Sequence, residues 1–164
     1  MILKGSATNV TSATTLNRAT RIRVGATNAG TVTIAAALGT FNAQSAVAGA
    51  AITISSHGFT TGDEVTYSDG GGTAIAELTD GGQFFVRVVD ANTVNLATTL
   101  RNAQDNVVLT LTDGSSQNHT ITATNTYAGS VVLVVNQVVT LDKKPSDTIA
   151  CSAAMSCTAI GTQP

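Results

Sequence analysis

The stretch "QFFVRVVDANTVNLA", residues 83–97, decides the fold class. Two runs rich in β-branched and aromatic residues, 83–89 and 93–97, flank Asp90-Ala91-Asn92, whose side chains accept turn and left-handed backbone. The segment therefore reads as an antiparallel hairpin. Working outward, the period along the chain stays at two rather than 3.6. "TRIRV" sets Ile22 and Val24 against Arg21 and Arg23, "TVTIA" repeats the pattern through Val32 and Ile34, and "AITIS" through Ile52 and Ile54. Further strand-like runs follow at "EVTYS", "NVVLTL", "HTITAT", "SVVLVV" and "VVTLDK", bounded by Gly, Asn or Asp. Asp113-Gly114 is expected to turn "NVVLTL" into "HTITAT", and Asn136-Gln137 to turn "SVVLVV" into "VVTLDK". No capped amphipathic helix is visible; "IAAALG" and "SAAMS" are the only places for a helical turn. The expected fold is all-β, an antiparallel β-sandwich carrying a small inserted β-barrel or hairpin subdomain.

Composition narrows the function classes. Only 11% of the 164 residues are charged, against about 25% in an ordinary soluble domain, so Thr, Ser, Asn, Gln and Ala must cover the surface. With eight Lys and Arg and a net charge of −2, the chain lacks the positive field that phosphate neutralisation requires, and nucleic acid is not an expected partner. The N-terminal stretch "MILKGSATNVTSATTLNRAT" has no apolar signal core, which predicts a chain that is not exported. The longest apolar run, "VVLVV" at 131–135, is strand length, so no membrane partner is expected. Cys151 and Cys157 in "CSAAMSC" fit no common zinc or redox spacing, and extended geometry would hold them roughly 20 Å apart. Two small, partly buried thiols are expected, with a disulfide open only to a bent segment.

The segment "HGFTTGDEVTYSDGGG", residues 57–72, holds the ingredients of a catalytic or phosphate-binding loop. Its glycines, however, bracket the strand-like run 63–67 on both sides instead of leading into a helix N-terminus, and no Lys follows in the place a phosphate loop needs. His57 has only His119 for company and no signature joins them, so His57 is expected to bond a turn backbone. Asp63, Asp69, Asp80, Asp90 and Asp113 stand beside glycine or in turns, where a carboxylate accepts backbone amides. Neither a calcium loop nor a Ser-His-Asp or Cys-His constellation is legible. A glycan hydrolase would need two placed carboxylates, and Glu64 and Glu77, the only glutamates, both lie in strand-like runs. The reading is of a chain that is not an enzyme, with no catalytic residue, cofactor or metal site.

The run "HGFTTGDEVTYSDGGGTAIAELTDGGQFFVRVVDANTVNLATT", about a quarter of the chain, resembles a small β module of phage virion proteins and large bacterial surface proteins. In that family the pattern is a building block and not a catalytic site. The flanks carry a second likeness: "LNRATRIRVGATNAGTVTI" and "VVTLDKKPSDTIACSA" resemble the small virion structural proteins of tailed cyanophages and related marine phages. The resemblance implies a base domain of residues 1–39 plus 128–164, with residues 40–127 inserted into one of its loops, a place where insertions are cheap because closure entropy grows slowly with length. It implies a capsid decoration or cement protein that binds and stabilises the outer capsid surface. The alternative is a tail, neck or fibre component contacting the host surface. Implied partners are other virion proteins, the major capsid protein first, with self-association as a homo-oligomer, a trimer for preference. The implied location is the virion, assembled in the host cytoplasm. Arg21 and Arg23 share one strand face, and Lys143-Lys144 precede Pro145, which holds Lys144 extended. These four cations are the expected partner-binding set.

Overall fold

The structure, a computed structural model, describes residues 2–3, 7–16, 19–124 and 127–161. Asn17 and Arg18 of "LNRATRIRV" lie outside them. The chain divides into two compact units, Met1–Ala36 with Asn125–Pro164, and Ala37–Thr124. Along the chain the first unit opens with β1 (Ile2–Leu3), β2 (Thr8–Val10), β3 (Arg21–Gly25) and β4 (Gly30–Ala35). The second contains β5 (Leu38–Asn42), β6 (Val47–Ala48), β7 (Ala51–Thr53), β8 (Glu64–Ser68), β9 (Gln83–Asp90), β10 (Thr93–Ala97), α1 (Leu100–Gln104) and β11 (Asn118–Ala123). The first unit closes with β12 (Gly129–Leu133), β13 (Val138–Asp142), β14 (Thr148–Cys151) and β15 (Met155–Gly161). All pairings are antiparallel, with 46% of residues in strands and 3% in helix.

The first unit is a two-layer sandwich. One sheet runs β1-β15-β3-β13, with β2 also on β15, and the other runs β12-β4-β14. Alternation makes it: Ile22 and Val24 of β3 face Val32 of β4 and Ile149 of β14 in a shared core that also takes Met155, Leu133 and both cysteines. The second unit is one seven-stranded sheet in the order β5-β11-β8-β9-β10-β7-β6. No closed barrel is found, so the expected small barrel is corrected to an open sheet. Leu38 and Gly39, assigned to the base domain by the sequence, lie in β5, which pairs with β11 of the second unit.

The 83–97 hairpin forms as read, with Thr93 opposite Asp90 and Leu96 opposite Val86. Two other expected hairpins do not. "NVVLTL" is an extended connection and not a strand: its Leu109 amide bonds the Leu96 carbonyl and its Leu111 amide the Gly49 carbonyl, while β11 pairs with β5 and β8 instead. The Asn136-Gln137 turn joins β12 to β13, yet these strands belong to different sheets, so the turn crosses between layers. Asn136 takes a φ of 68° there, which asparagine tolerates. The one helix among the described residues, α1, spans five residues and gives no periodic signal. It is started by Thr99, whose side chain accepts the Asn102 amide.

Candidate functional site

The expected contact residues fall on or beside the β3–β13 pair of the sandwich. Register places Arg21 opposite Asp142, Arg23 opposite Thr140 and Gly25 opposite Val138. Arg21 Nε lies 2.6 Å from Asp142 Oδ1, and its second fork nitrogen donates to Oδ2 at 3.4 Å. That contact holds the Asp142 carboxyl below the usual carboxylate range and raises Arg21 further. Arg21 is thus already answered from within the sheet. Arg23 is exposed between Thr140 on one side and Thr158 on the other, and no ion pair joins it to any described residue. It is the cation of this face that the sheet leaves unanswered.

Lys143 must be taken out of the surface set. It is 2% exposed, and its ammonium donates to the carbonyls of Lys144 and Asp147 at 2.8 Å each and of Pro145 at 3.4 Å. A buried ammonium is tolerated only with such a set of acceptors, and here the loop 143–147 wraps around it. Lys144 is half-buried, and its backbone N–H donates to Asp147 Oδ2 at 2.6 Å. The loop borders an open groove of about 500 Å³ whose lining includes Thr20, Arg21, Tyr127, Asp142, Lys144 and Pro145.

An apolar feature that the sequence did not single out adjoins this face. Val132, Val134, Val135 and Val138, from the end of β12 through the crossing turn to the start of β13, are 72%, 63%, 53% and 50% exposed. Four exposed valines in seven positions are unusual where a β-strand has a core to face. "SVVLVV" reads only as a strand, because hydropathy cannot tell which strand will stand at an edge. Among the described strands β12 and β13 are the outermost members of their two sheets, and the short turn keeps their open sides together.

The 57–72 segment and its neighbours are built as turns. His57 Nδ1 accepts the Phe59 amide at 3.0 Å, so its Nε2–H donates to the Asp90 carbonyl at 2.9 Å. Asp63 Oδ2 accepts the Thr60 amide at 2.8 Å, closing the turn that contains Gly62 at a φ of 97°. Asp90 Oδ1 accepts the Asn92 amide, and Asn92 Oδ1 accepts the Ser56 amide. Asp69 and Asp80 take the amides of Gly71 and Asp69, and Glu77 takes that of Thr112. These backbone bonds hold Asp80 and Glu77 below the ordinary carboxylate range. Asp113 is exposed beside Gly114. Among the described residues no three of His, Cys, Asp and Glu are placed to share a metal. Alanine at His57, Asp63 or Asp90 is expected to lower the stability of the second unit by about 0.5–2 kcal/mol, the worth of a lost cap-like bond. Chemical denaturation of the three variants checks this, and unchanged midpoints for all three would refute the turn assignment.

Two buried groups complete the inventory. Cys151 and Cys157 are both buried free thiols in one core cluster, because the chain bends at residues 152–154 and brings β15 under β14, which the extended estimate of their separation did not allow. Burial raises both, Cys157 to about 12, with the nearby Cys151 adding to it. Neither is a nucleophile at neutral pH. In the second unit the Tyr67 hydroxyl lies 2.6 Å from His119 Nδ1 and accepts the Ile75 amide at 3.1 Å, a fully buried pair that motif reading passed over.

No helix among the described residues is long and apolar enough to cross a membrane. No protein-family model matches the chain, and no curated protein sequence matches it.

Proposed function

We propose that the chain is a non-enzymatic structural component of a phage virion, a decoration or cement protein whose flank-built sandwich binds the outer capsid surface and stabilises it. The observation that supports this most is the exposed Val138 beside the unanswered Arg23 on the outer face of the β3–β13 pair, with the exposed Val134 and Val135 in the adjoining turn, on a chain with few charges. Apolar area of that kind, rimmed by polar groups, is suited to a protein partner. The likeness of both flanks to small virion proteins makes the major capsid protein the proposed partner, with the sandwich self-associating as a trimer. Five carboxylates of the inserted unit, Asp63, Asp69, Glu77, Asp80 and Asp90, accept backbone amides, which favours a scaffold over acid–base chemistry.

The test is quantitative mass spectrometry of purified particles. On the order of hundreds of copies per virion is the expected result, since a surface lattice repeats its decoration with its symmetry; roughly a dozen or fewer would place the chain in the tail or neck, and none would remove it from the virion. A second arm uses Arg23→Glu, which is exposed and leaves the core intact. Lost occupancy with a folded protein is expected, and normal occupancy would take Arg23 out of the contact.

A further inference from the structure

β13 pairs with β3 on one side and with no described strand on the other. The parity of its backbone bonds shows what the open side offers. The Lys143 amide donates to the Thr20 carbonyl and the Ala26 amide to the Gln137 carbonyl, both at 2.9 Å. In an antiparallel ladder this parity repeats every two residues, so positions 137, 139, 141 and 143 turn their polar backbone groups toward β3. The N–H and C=O groups of Val138, Thr140 and Asp142 therefore point outward at the edge. The same three side chains are exposed, in alternation with the half-buried Val139 and Leu141. The open side carries no proline or bulge, and its one exposed charge, Asp142, is paired with Arg21, so little guards it against strand addition.

Side-chain order along the edge restricts what can be added. Val138 is apolar, Thr140 has Arg23 behind it, and Asp142 is satisfied by Arg21. A second copy paired antiparallel about Thr140, the register that uses the whole strand, would set Val138 against Asp142 at both ends and bring no carboxylate to Arg23. Such pairs are poor, since valine strips water from a carboxylate without replacing it. A strand from elsewhere with an acidic residue facing Thr140 meets each position. Strands two apart in a sheet are about 10 Å apart, a span that Arg and Glu side chains bridge over a short threonine.

We infer that the open edge of β13 takes up an extended strand of a different protein, one that presents an apolar residue to Val138 and a carboxylate over Thr140 to Arg23. The mode is sheet augmentation, with main-chain bonds supplying affinity and the Arg23 pair supplying register. Only the source of that strand, a neighbouring virion protein, rests on the function proposed above.

The experiment titrates isotopically labelled full-length protein with a short acetylated and amidated peptide that alternates Thr and Val around one central Glu, and with the same peptide carrying a central Lys. The amides of Val138, Thr140 and Asp142 should shift and gain exchange protection, with the Glu peptide binding about tenfold more tightly, the scale of one well-placed charge pair. Arg23→Glu should reverse the preference. Shifts elsewhere only, equal binding of the two peptides, or an unchanged order in Arg23→Glu would overturn the proposal. So would concentration-dependent shifts of the same amides without peptide, accompanied by a dimer in sedimentation, since a second copy would then hold the edge. Absence of the chain from particles would defeat the virion reading and leave these peptide results standing.

Discussion

Lys143→Ala is expected to cost the flank-built sandwich about 3 kcal/mol or more, the largest single-residue loss predicted for this unit. Two carbonyls at 2.8 Å and a third at 3.4 Å converge on the ammonium inside the loop 143–147. Removing it leaves the buried bond to the Asp147 carbonyl and two part-buried carbonyls without their donor, and opens a void where the four-carbon stem lay. Lys143→Met separates these effects: it fills the space of the stem but supplies no donor, so it should cost about 2 kcal/mol. Because the chain holds two units, the loss should be read from amide exchange in β3, β13 and β14 rather than from one global midpoint. A Lys143→Ala protein with wild-type exchange there would show that the loop closes without its ammonium. Lys144→Ala, a half-buried side chain in the same loop, is the matched control.

That Lys143 is structural was within reach of the sequence. In "VVTLDK" the period of two that puts Val139 and Leu141 inward continues to Lys143, and the burial follows that count. A lysine at a strand end signals surface by its charge, although its parity here points inward. The same alternation correctly gave β3, β4, β8, β9, β10 and β11, each of which places apolar residues two apart on its buried face. It failed for β14 and β15. "TIAC" and "MSCTAIG" are rich in Ala, Ser and Cys, whose β-propensity is low, although β15 is the strand on which β1, β2 and β3 all pair. "NVVLTL" failed in the opposite direction: it has the composition of a strand but its amides bond singly to the Leu96 and Gly49 carbonyls, and the Thr112 that follows it to the Glu77 carboxylate. Hydropathy registers that a segment is extended and apolar, not whether a neighbour is free to pair with it. The proposed contact surface was half legible for the same reason. The arginine face follows from parity within one strand, whereas the exposed valines depend on β12 and β13 being outermost, which only the order of strands decides.

Tyr67→Phe is expected to destabilise the second unit by about 2–4 kcal/mol although it removes one atom. The hydroxyl serves two buried groups: it accepts the Ile75 amide and shares a hydrogen bond with His119 Nδ1. Both lose their partner in the variant, and His119 is already fully buried with its Nε2 unbonded. A ring so buried is held in its neutral form, which predicts a pH response. Burial lowers the His119 pKa below its usual value, outweighing the opposing pull of Asp69. The unfolded chain therefore takes up the proton first as pH falls. Stability due to the neutral ring is complete above about pH 6.5, the unfolded value, and is lost as pH drops toward the lowered folded value, with a slope of at most about 1.4 kcal/mol per pH unit. Glu77 and Asp80 also have lowered values, but their contribution is lost only below the ordinary carboxylate range, so the two windows separate. Denaturation midpoints of the second unit between pH 7 and 5 should fall in the wild type and stay flatter in His119→Gln, which keeps a polar side chain but cannot titrate. A wild-type midpoint that is level across that interval would mean that His119 takes up its proton equally in the folded and unfolded states, and the buried neutral pair with Tyr67 would have to be given up.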